Sequence, residues 1–286
     1  MSRPQQPLNV ALCQMTSVDD LSLNLRQILG LLERLPPDVR LVCFPENALF
    51  LKLARDQKIP PLKLSDSVFA ALQKVAEQKQ IHIMLGSAPI AVSEFQDPSQ
   101  TAGPAQASNA TVYLRPGAPA KAVYRKIHLF DVDVSGAPAV RESDSFVHGS
   151  DGHVLEIEGW RFGLSICYDV RFAELYSRYA RQNVHALLVP SAFLVPTGKA
   201  HWHILLRARA IENQCYVLAA AQAGRHLGKT GETRQTYGHS LAVDPWGEVL
   251  ADLGETGPGI KVVTLLPERL AWVQNQIPQS QHRRLV

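Results

Sequence analysis

The 286-residue sequence has no apolar run of the roughly 18 residues that a membrane-spanning helix requires, and its opening stretch, Met1 to Pro7, is polar with only a short apolar segment before Thr16. Neither a membrane protein nor an N-terminal anchor is expected. Cysteine is scarce. Cys13, Cys43, Cys167 and Cys215 lie far apart without a CxxC pair, so neither a disulfide framework nor a zinc ribbon is expected, and a reducing, cytoplasmic setting fits. Charge is also limited: charged residues make up 19%, and Lys+Arg 29 against Asp+Glu 26 leaves +3 with no dense basic run, which speaks against a nucleic-acid surface. No repeat is visible at a period of 20–50 residues. What the sequence does hold is core material, with 46% hydrophobic residues, enough to exclude wholesale disorder.

Short β-like runs alternate with helix-like runs along the whole chain. Strands are expected at Leu8–Met15, Leu41–Phe44, Ile81–Leu85, Thr111–Leu114, Ala122–Leu129, Phe162–Cys167, Ala186–Val189, Tyr216–Ala221, Ser240–Val243, Glu248–Ala251 and Ile260–Leu265. Asp20 is placed to cap a helix in which Leu21, Leu25, Ile28, Leu32 and Leu35 share a face, and Ser65 or Asp66 to cap a second. Further helices are expected over Phe172–Gln182 and Ala200–Asn213, and a last one from Pro267, a residue suited to a first turn. Arg115-Pro116-Gly117-Ala118 and Asp244-Pro245-Trp246-Gly247 read as turns, and the Ser-, Gln-, Ala- and Pro-rich 93–108 segment reads as a surface loop. No composition break divides the chain. The residues alone predict one α/β domain over 1–286, its core at about 8–266 and a C-terminal helix and tail at 267–286, with helices on both sides of a mixed sheet.

Three residues stand out for chemistry. Cys167 ends an apolar run and precedes a helix, so it sits at a strand-to-helix corner where backbone N–H groups favour a thiolate and a developing oxyanion; the competing reading is a buried cysteine acting as a small hydrophobe. Glu46 follows four apolar residues and a proline, an unusual place for a carboxylate, and fits either a general base or a structural ion pair. Lys126 lies in an alternating segment in which Lys126 and His128 are expected on one strand face and Ile127 and Leu129 on the other; a solvated charged face is the alternative. A nucleophile, a carboxylate and a cation near strand ends form a coherent set for attack on an amide.

The segments Phe44-Pro45-Glu46-Asn47, Tyr124-Arg-Lys126-Ile-His-Leu-Phe-Asp131 and Cys167-Tyr-Asp-Val-Arg-Phe172 closely resemble the three signatures of the nitrilase superfamily of carbon–nitrogen hydrolases, in order and in spacing. The resemblance runs from about Leu8 to Arg284. It implies a four-layer α-β-β-α sandwich that pairs into homodimers and a Glu46–Lys126–Cys167 triad, with Glu142 as a second glutamate that positions the lysine. By itself Glu142 reads as a loop carboxylate. Pro190-Ser-Ala-Phe193, Thr197-Gly-Lys-Ala-His-Trp202, Leu206 to Tyr216, Ala219-Ala-Ala-Gln222, Tyr237-Gly-His-Ser240 and Gln281-His-Arg-Arg284 resemble the deaminated glutathione amidase branch. Gly86-Ser-Ala-Pro-Ile-Ala-Val92 departs from that branch, which often carries a polar Phe-His-Glu-like segment there.

The resemblance implies a small amide substrate bearing carboxylates, with no cofactor and no metal. In the expected scheme Glu46 is the base and Lys126 and the Tyr168 N–H hold the oxyanion. Arg171, at a helix mouth, is suited to a two-pronged grip on a carboxylate, and Phe193 and Thr197 are implied as pocket residues. His128 is implied as a further substrate-binding residue and also offers a rival Cys–His pairing. His201 and His203 are two apart on a helix and point in different directions, so they are not expected to chelate one ion. An ω-amidase, an N-carbamoyl hydrolase and a non-catalytic binding protein are the alternatives.

Overall fold

Apolar side chains on both faces of consecutive strands demand cover on both sides, and the chain supplies it twice. The computed structural model describes residues 4–54, 56–95, 107–135 and 139–284. The first half forms β1 (Leu8–Gln14), α1 (Leu21–Glu33), β2 (Leu41–Phe44), α2 (Ser67–Lys79), β3 (His82–Ala91), β4 (Ala107–Arg115) and β5 (Ala118–Arg125). A two-stranded ribbon, β6 (Asp131–Val132) and β7 (Val140–Arg141), leads to β8 (Val154–Ile157), β9 (Trp160–Leu164), α3 (Ala173–Arg181), β10 (Ala186–Leu188), α4 (Val195–Asn213) and β11 (Tyr216–Ala219). The hairpin β12 (Ala223–Leu227) and β13 (Thr233–Tyr237), then β14 (Leu241–Val243), β15 (Val249–Asp252), β16 (Gly259–Leu265) and α5 (Pro267–Gln276) complete the main elements.

Two six-stranded mixed sheets result, in the orders β16-β1-β2-β3-β4-β5 and β15-β14-β11-β10-β9-β8. Alternation along the strands assigns each face to a layer. Val10, Leu12, Leu41, Cys43 and Met84 join Phe162, Leu164, Ala186 and Leu188 in the core between the sheets. Their neighbours Ala11, Cys13, Val42, Phe44 and Leu85 instead pack on Ile28, Leu31, Leu32, Phe69 and Leu72 of α1 and α2. The architecture is therefore the four-layer α-β-β-α sandwich implied by resemblance, and it corrects the single sheet flanked by helices that the residues alone suggested.

Local chemistry accounts for several boundaries. Asp20 caps α1 as expected, accepting from the N–H groups of Ser22 at 2.8 Å and Leu23 at 3.0 Å. Asp66 holds the cap position of α2 but spends its carboxylate on the Lys63 N–H at 2.9 Å. Helix α4 starts five residues earlier than expected, because Pro196 fits its first turn. Strand β3 runs on to Ala91 across an irregularity between Leu85 and Ala88, borrowing order from β4. The 93–108 loop falls, from 96 to 106, outside the described residues. Strand β5 stops at Arg125, so Lys126 and His128 do not share a strand face; the reason lies at the site.

Candidate active site

Glu46 leaves the first sheet just beyond β2. Asn47 turns the chain with φ of 56°, its N–H donating to Ser87 Oγ at 2.8 Å, while the Glu46 carbonyl accepts from Gln222 Nε2 at 2.9 Å. The turn is tight against the other sheet. A Cβ on Gly86 would lie 2.1 Å from the Phe44 carbonyl oxygen and 2.2 Å from Pro190 Cβ, so only glycine lets the two sheet ends meet there.

Cys167 leaves the second sheet beyond β9 and opens a 3₁₀ turn, Cys167–Arg171. Its φ is 49°, a left-handed value that costs a non-glycine residue about 1–2 kcal/mol. The turn is fastened by the Cys167 N–H to the Pro190 carbonyl at 2.9 Å and by the Ile166 N–H to Asp169 Oδ2 at 2.9 Å. Asp169, fully buried, also accepts from Tyr124 O–H at 2.7 Å and from His128, through its backbone N–H at 3.0 Å and Nδ1 at 2.7 Å. It thus ties both flanks of Lys126 to the cysteine turn and pulls the chain out of the strand after Arg125.

Lys126 Nζ donates to Glu46 Oε1 at 2.8 Å and to Glu142 Oε2 at 2.7 Å, with Lys126 2% and Glu46 3% exposed. Asn109 joins the same group from β4. Its Nδ2 donates to Glu46 Oε1 at 3.1 Å and Glu142 Oε1 at 2.8 Å, and its carbonyl accepts the Lys126 N–H at 2.9 Å. The Phe130 N–H completes the set on Glu142 Oε2 at 2.7 Å. Burial opposes the ammonium charge, but Glu142 and Glu46, with Cys167, override it and hold Lys126 well above the usual lysine range. Burial also pushes the Cys167 thiol up and Glu46 adds to the effect, outweighing Lys126 and the Ala192 N–H, which pull the other way. The site therefore holds a protonated sulfur beside a carboxylate–ammonium–carboxylate array.

Glu46, Lys126, Glu142 and Cys167, expected to share a pocket, do converge. Among the other expected residues, the Arg171 guanidinium lies 5.2 Å from the Phe193 ring centre and 5.9 Å from that of Tyr168, and it meets His201 Nδ1 at 3.1 Å. Tyr168 packs edge-on against Phe130 and Phe172. Thr197 Oγ1 donates to the Leu194 carbonyl at 3.2 Å, within its own helix turn. His128 stacks on Phe172 at 3.6 Å and engages Asp169, and among the described residues no hydrogen bond joins it to Cys167. His203 turns away from His201, donating to Asp252 Oδ2 at 3.0 Å, while His239 Nδ1 meets Asp252 Oδ1 at 2.8 Å. Ligand atoms of His203, His239 and Asp252 lie within 4.8 Å of one another, but each imidazole is already hydrogen-bonded to the carboxylate.

Asn109 and Asp169 were not singled out in the sequence. Asn109 is a neutral residue in a strand-like run and gives no local sign of its role, whereas Asp169, two residues beyond the thiol, carries the weak sign of a carboxylate next to apolar sequence.

A carbon-nitrogen hydrolase family model matches residues 9–273. A deaminated glutathione amidase from Synechocystis sp. is 39% identical over 285 residues, 98% of this chain and 100% of that protein. Another from Yersinia enterocolitica is 37% identical over 280 residues, 97% of this chain and 93% of that protein. The crystal structure of Saccharomyces cerevisiae Nit3, described as a member of branch 10 of the nitrilase superfamily, superposes with a TM-score of 0.80 at 30% identity, covering 99% of this chain and 98% of that one.

Proposed function

Because the chain belongs to the carbon–nitrogen hydrolase family, we propose that it is a cysteine amidase that cleaves the amide of deaminated glutathione into 2-oxoglutarate and cysteinylglycine. The observation that carries the mechanism is the buried Lys126 ammonium held between Glu46 and Glu142 beside the Cys167 thiol. The names of the relatives support the substrate.

Burial pushes the Cys167 thiol up, which favours loss of its proton as the S–C bond forms over attack by a preformed thiolate. Glu46 takes that proton while Cys167 Sγ attacks the amide carbon. The carbonyl π electrons move to oxygen, and Lys126 Nζ and the Tyr168 N–H stabilise the oxyanion; one such donor is typically worth about 10²–10³ in rate. Collapse of the tetrahedral intermediate breaks the C–N bond, and protonated Glu46 delivers its proton to the departing nitrogen. Water then attacks the thioester, losing a proton to the same carboxylate, and the acid leaves as the thiol reforms. Glu142 and Asn109 hold Lys126 and Glu46 in register throughout. The scheme requires no metal and no organic cofactor.

Parallel assays test the reading. Deaminated glutathione is expected to give a higher kcat/KM than 2-oxoglutaramate or an N-carbamoyl amino acid, and Cys167→Ala is expected to lower kcat by about 10⁴ or more. A preference for 2-oxoglutaramate would make the enzyme an ω-amidase, and retained turnover in Cys167→Ala would overturn the mechanism.

A further inference from the structure

The hairpin β12–β13 lies over the loop that carries Phe193. The Tyr237 N–H donates to the Phe193 carbonyl at 2.9 Å, and Thr236 bridges to Leu194. Its inner face is fixed by His226. Nδ1 donates to the Ser17 carbonyl at 2.7 Å, so Nε2 must accept, and it does so from Thr236 Oγ1 at 2.7 Å. Arg234 sits opposite His226 in the ladder, two residues before the buried Thr236, and so projects from the same inner face, while Thr233 and Gln235 are exposed.

The Arg234 side chain is half-buried, yet its guanidinium makes no hydrogen bond or ion pair with any described residue. A guanidinium drawn out of water normally gains a carboxylate in return. Burial is the strongest influence on it, and Glu46, Cys167 and Glu142 act against that influence, in keeping with its place on the hairpin face that meets the Phe193 loop. Those two carboxylates are already taken by Lys126 and Asn109. The cation therefore faces the site with its donors unused.

We infer that Arg234 is a substrate-binding residue that holds the carboxylate of the acyl half of the substrate, the end that stays on the sulfur during thioester formation. The inference rests on the amidase reading and deepens it to a class of substrate: amides of short dicarboxylic or α-keto dicarboxylic acids. The choice of half follows from reach. The carboxylate of an oxoglutaryl group lies four bonds from the scissile carbon, a short span that suits a cation on the inner face of the hairpin. The glycine carboxylate of the departing dipeptide lies beyond the scissile nitrogen, and Arg171, beside Phe193 and Tyr168, is left as the cation for that half.

The test uses Arg234→Met, which keeps an unbranched stem of similar packing without the charge, and Arg234→Lys. Arg234→Met is expected to lower the ratio of kcat/KM on 2-oxoglutaramate to that on butyramide by about 10- to 100-fold, chiefly through KM, with an equal loss on deaminated glutathione. Arg234→Lys should recover part of it, since the charge returns without the fork. A loss confined to deaminated glutathione would assign Arg234 to the departing half and overturn the inference, as would an unchanged ratio. Calorimetric binding of 2-oxoglutarate to the Cys167→Ala protein, with and without Arg234→Met, needs no turnover. There the expected weakening is again about 10- to 100-fold, and equal affinities would overturn the inference. If the wild type hydrolyses none of the amides, the amidase reading fails, and the calorimetry still decides the role of Arg234.

Discussion

The buried Lys126 carries one positive charge between two carboxylates, so the proposed chemistry and the stability of the fold rest on the same contacts. Lys126→Met would abandon Glu46 and Glu142 to each other, and breaking a buried pair in this way costs about 3–5 kcal/mol. Urea unfolding should register that loss alongside the loss of amidase activity. Adding Glu142→Gln should return part of the stability, because it removes one uncompensated charge, but none of the activity. If Lys126→Met proves as stable as the wild type, the two carboxylates are not held together as described. This array also explains which residues could be read in advance. Glu46 and Cys167 break the local pattern, a carboxylate after an apolar run and a thiol at a strand end, and such breaks are visible in one dimension. Asn109 and Arg234 obey the local pattern and matter only through what the fold places opposite them.

At the scale of elements, long apolar strands and amphipathic helices were legible and the site-covering hairpin was not. β12 and β13 read Ala223-Gly-Arg-His-Leu227 and Thr233-Arg-Gln-Thr-Tyr237, polar on both faces, because one face meets solvent and the other meets the polar floor around Ser17 and Gln222. The alternation that marks a half-buried strand is missing for that reason. His226 gives the hairpin a titration of its own. Burial pushes its pKa down to about 4, with Arg234 acting in the same direction and the Ser17 carbonyl against them. The folded state therefore refuses a proton that the unfolded chain accepts near pH 6.5. Stability from this residue is fully present above about pH 6.5 and declines as pH falls to about 4, by up to about 3 kcal/mol. His185, pushed down to about 4 by burial and Arg161, titrates in the same window. The informative quantity is thus the difference between wild type and His226→Gln. The variant should take up about one proton fewer on unfolding between pH 6.5 and 4, measured from urea midpoints across that range, and parallel curves would contradict the neutral, buried His226.

Across the whole molecule, the sequence patterns that predicted strands carried no information about which sheet each strand would join. Val10 and Ala11 are both apolar, yet one faces the opposing sheet and the other faces α1 and α2, so two stacked sheets and one doubly covered sheet write the same pattern. Resemblance to a known family supplied the second sheet; periodicity did not. What makes the stack a site is the narrow approach of the two sheets at Gly86, where β2, β3 and the chain after β10 converge between Glu46 and Cys167. Gly86→Ala would put a methyl group 2.1 Å from a backbone oxygen that cannot rotate away, so the sheets themselves must part. Overpacking of this kind falls at or above the upper end of its usual range, about 3 kcal/mol. The parting also separates the carboxylate of one sheet from the sulfur of the other, and a displacement of about 1 Å can cost about 100-fold in rate. Gly30→Ala is the matched contrast: in α1 with open space around its Cβ, it should gain up to about 1 kcal/mol from helix propensity and leave turnover intact. Urea midpoints and kcat measured on both variants distinguish a general intolerance of glycine replacement from a specific closeness of the sheets. Equal behaviour of the two would mean that the sheets do not meet at Gly86, and the proximity of Glu46 to Cys167 would lose its structural cause.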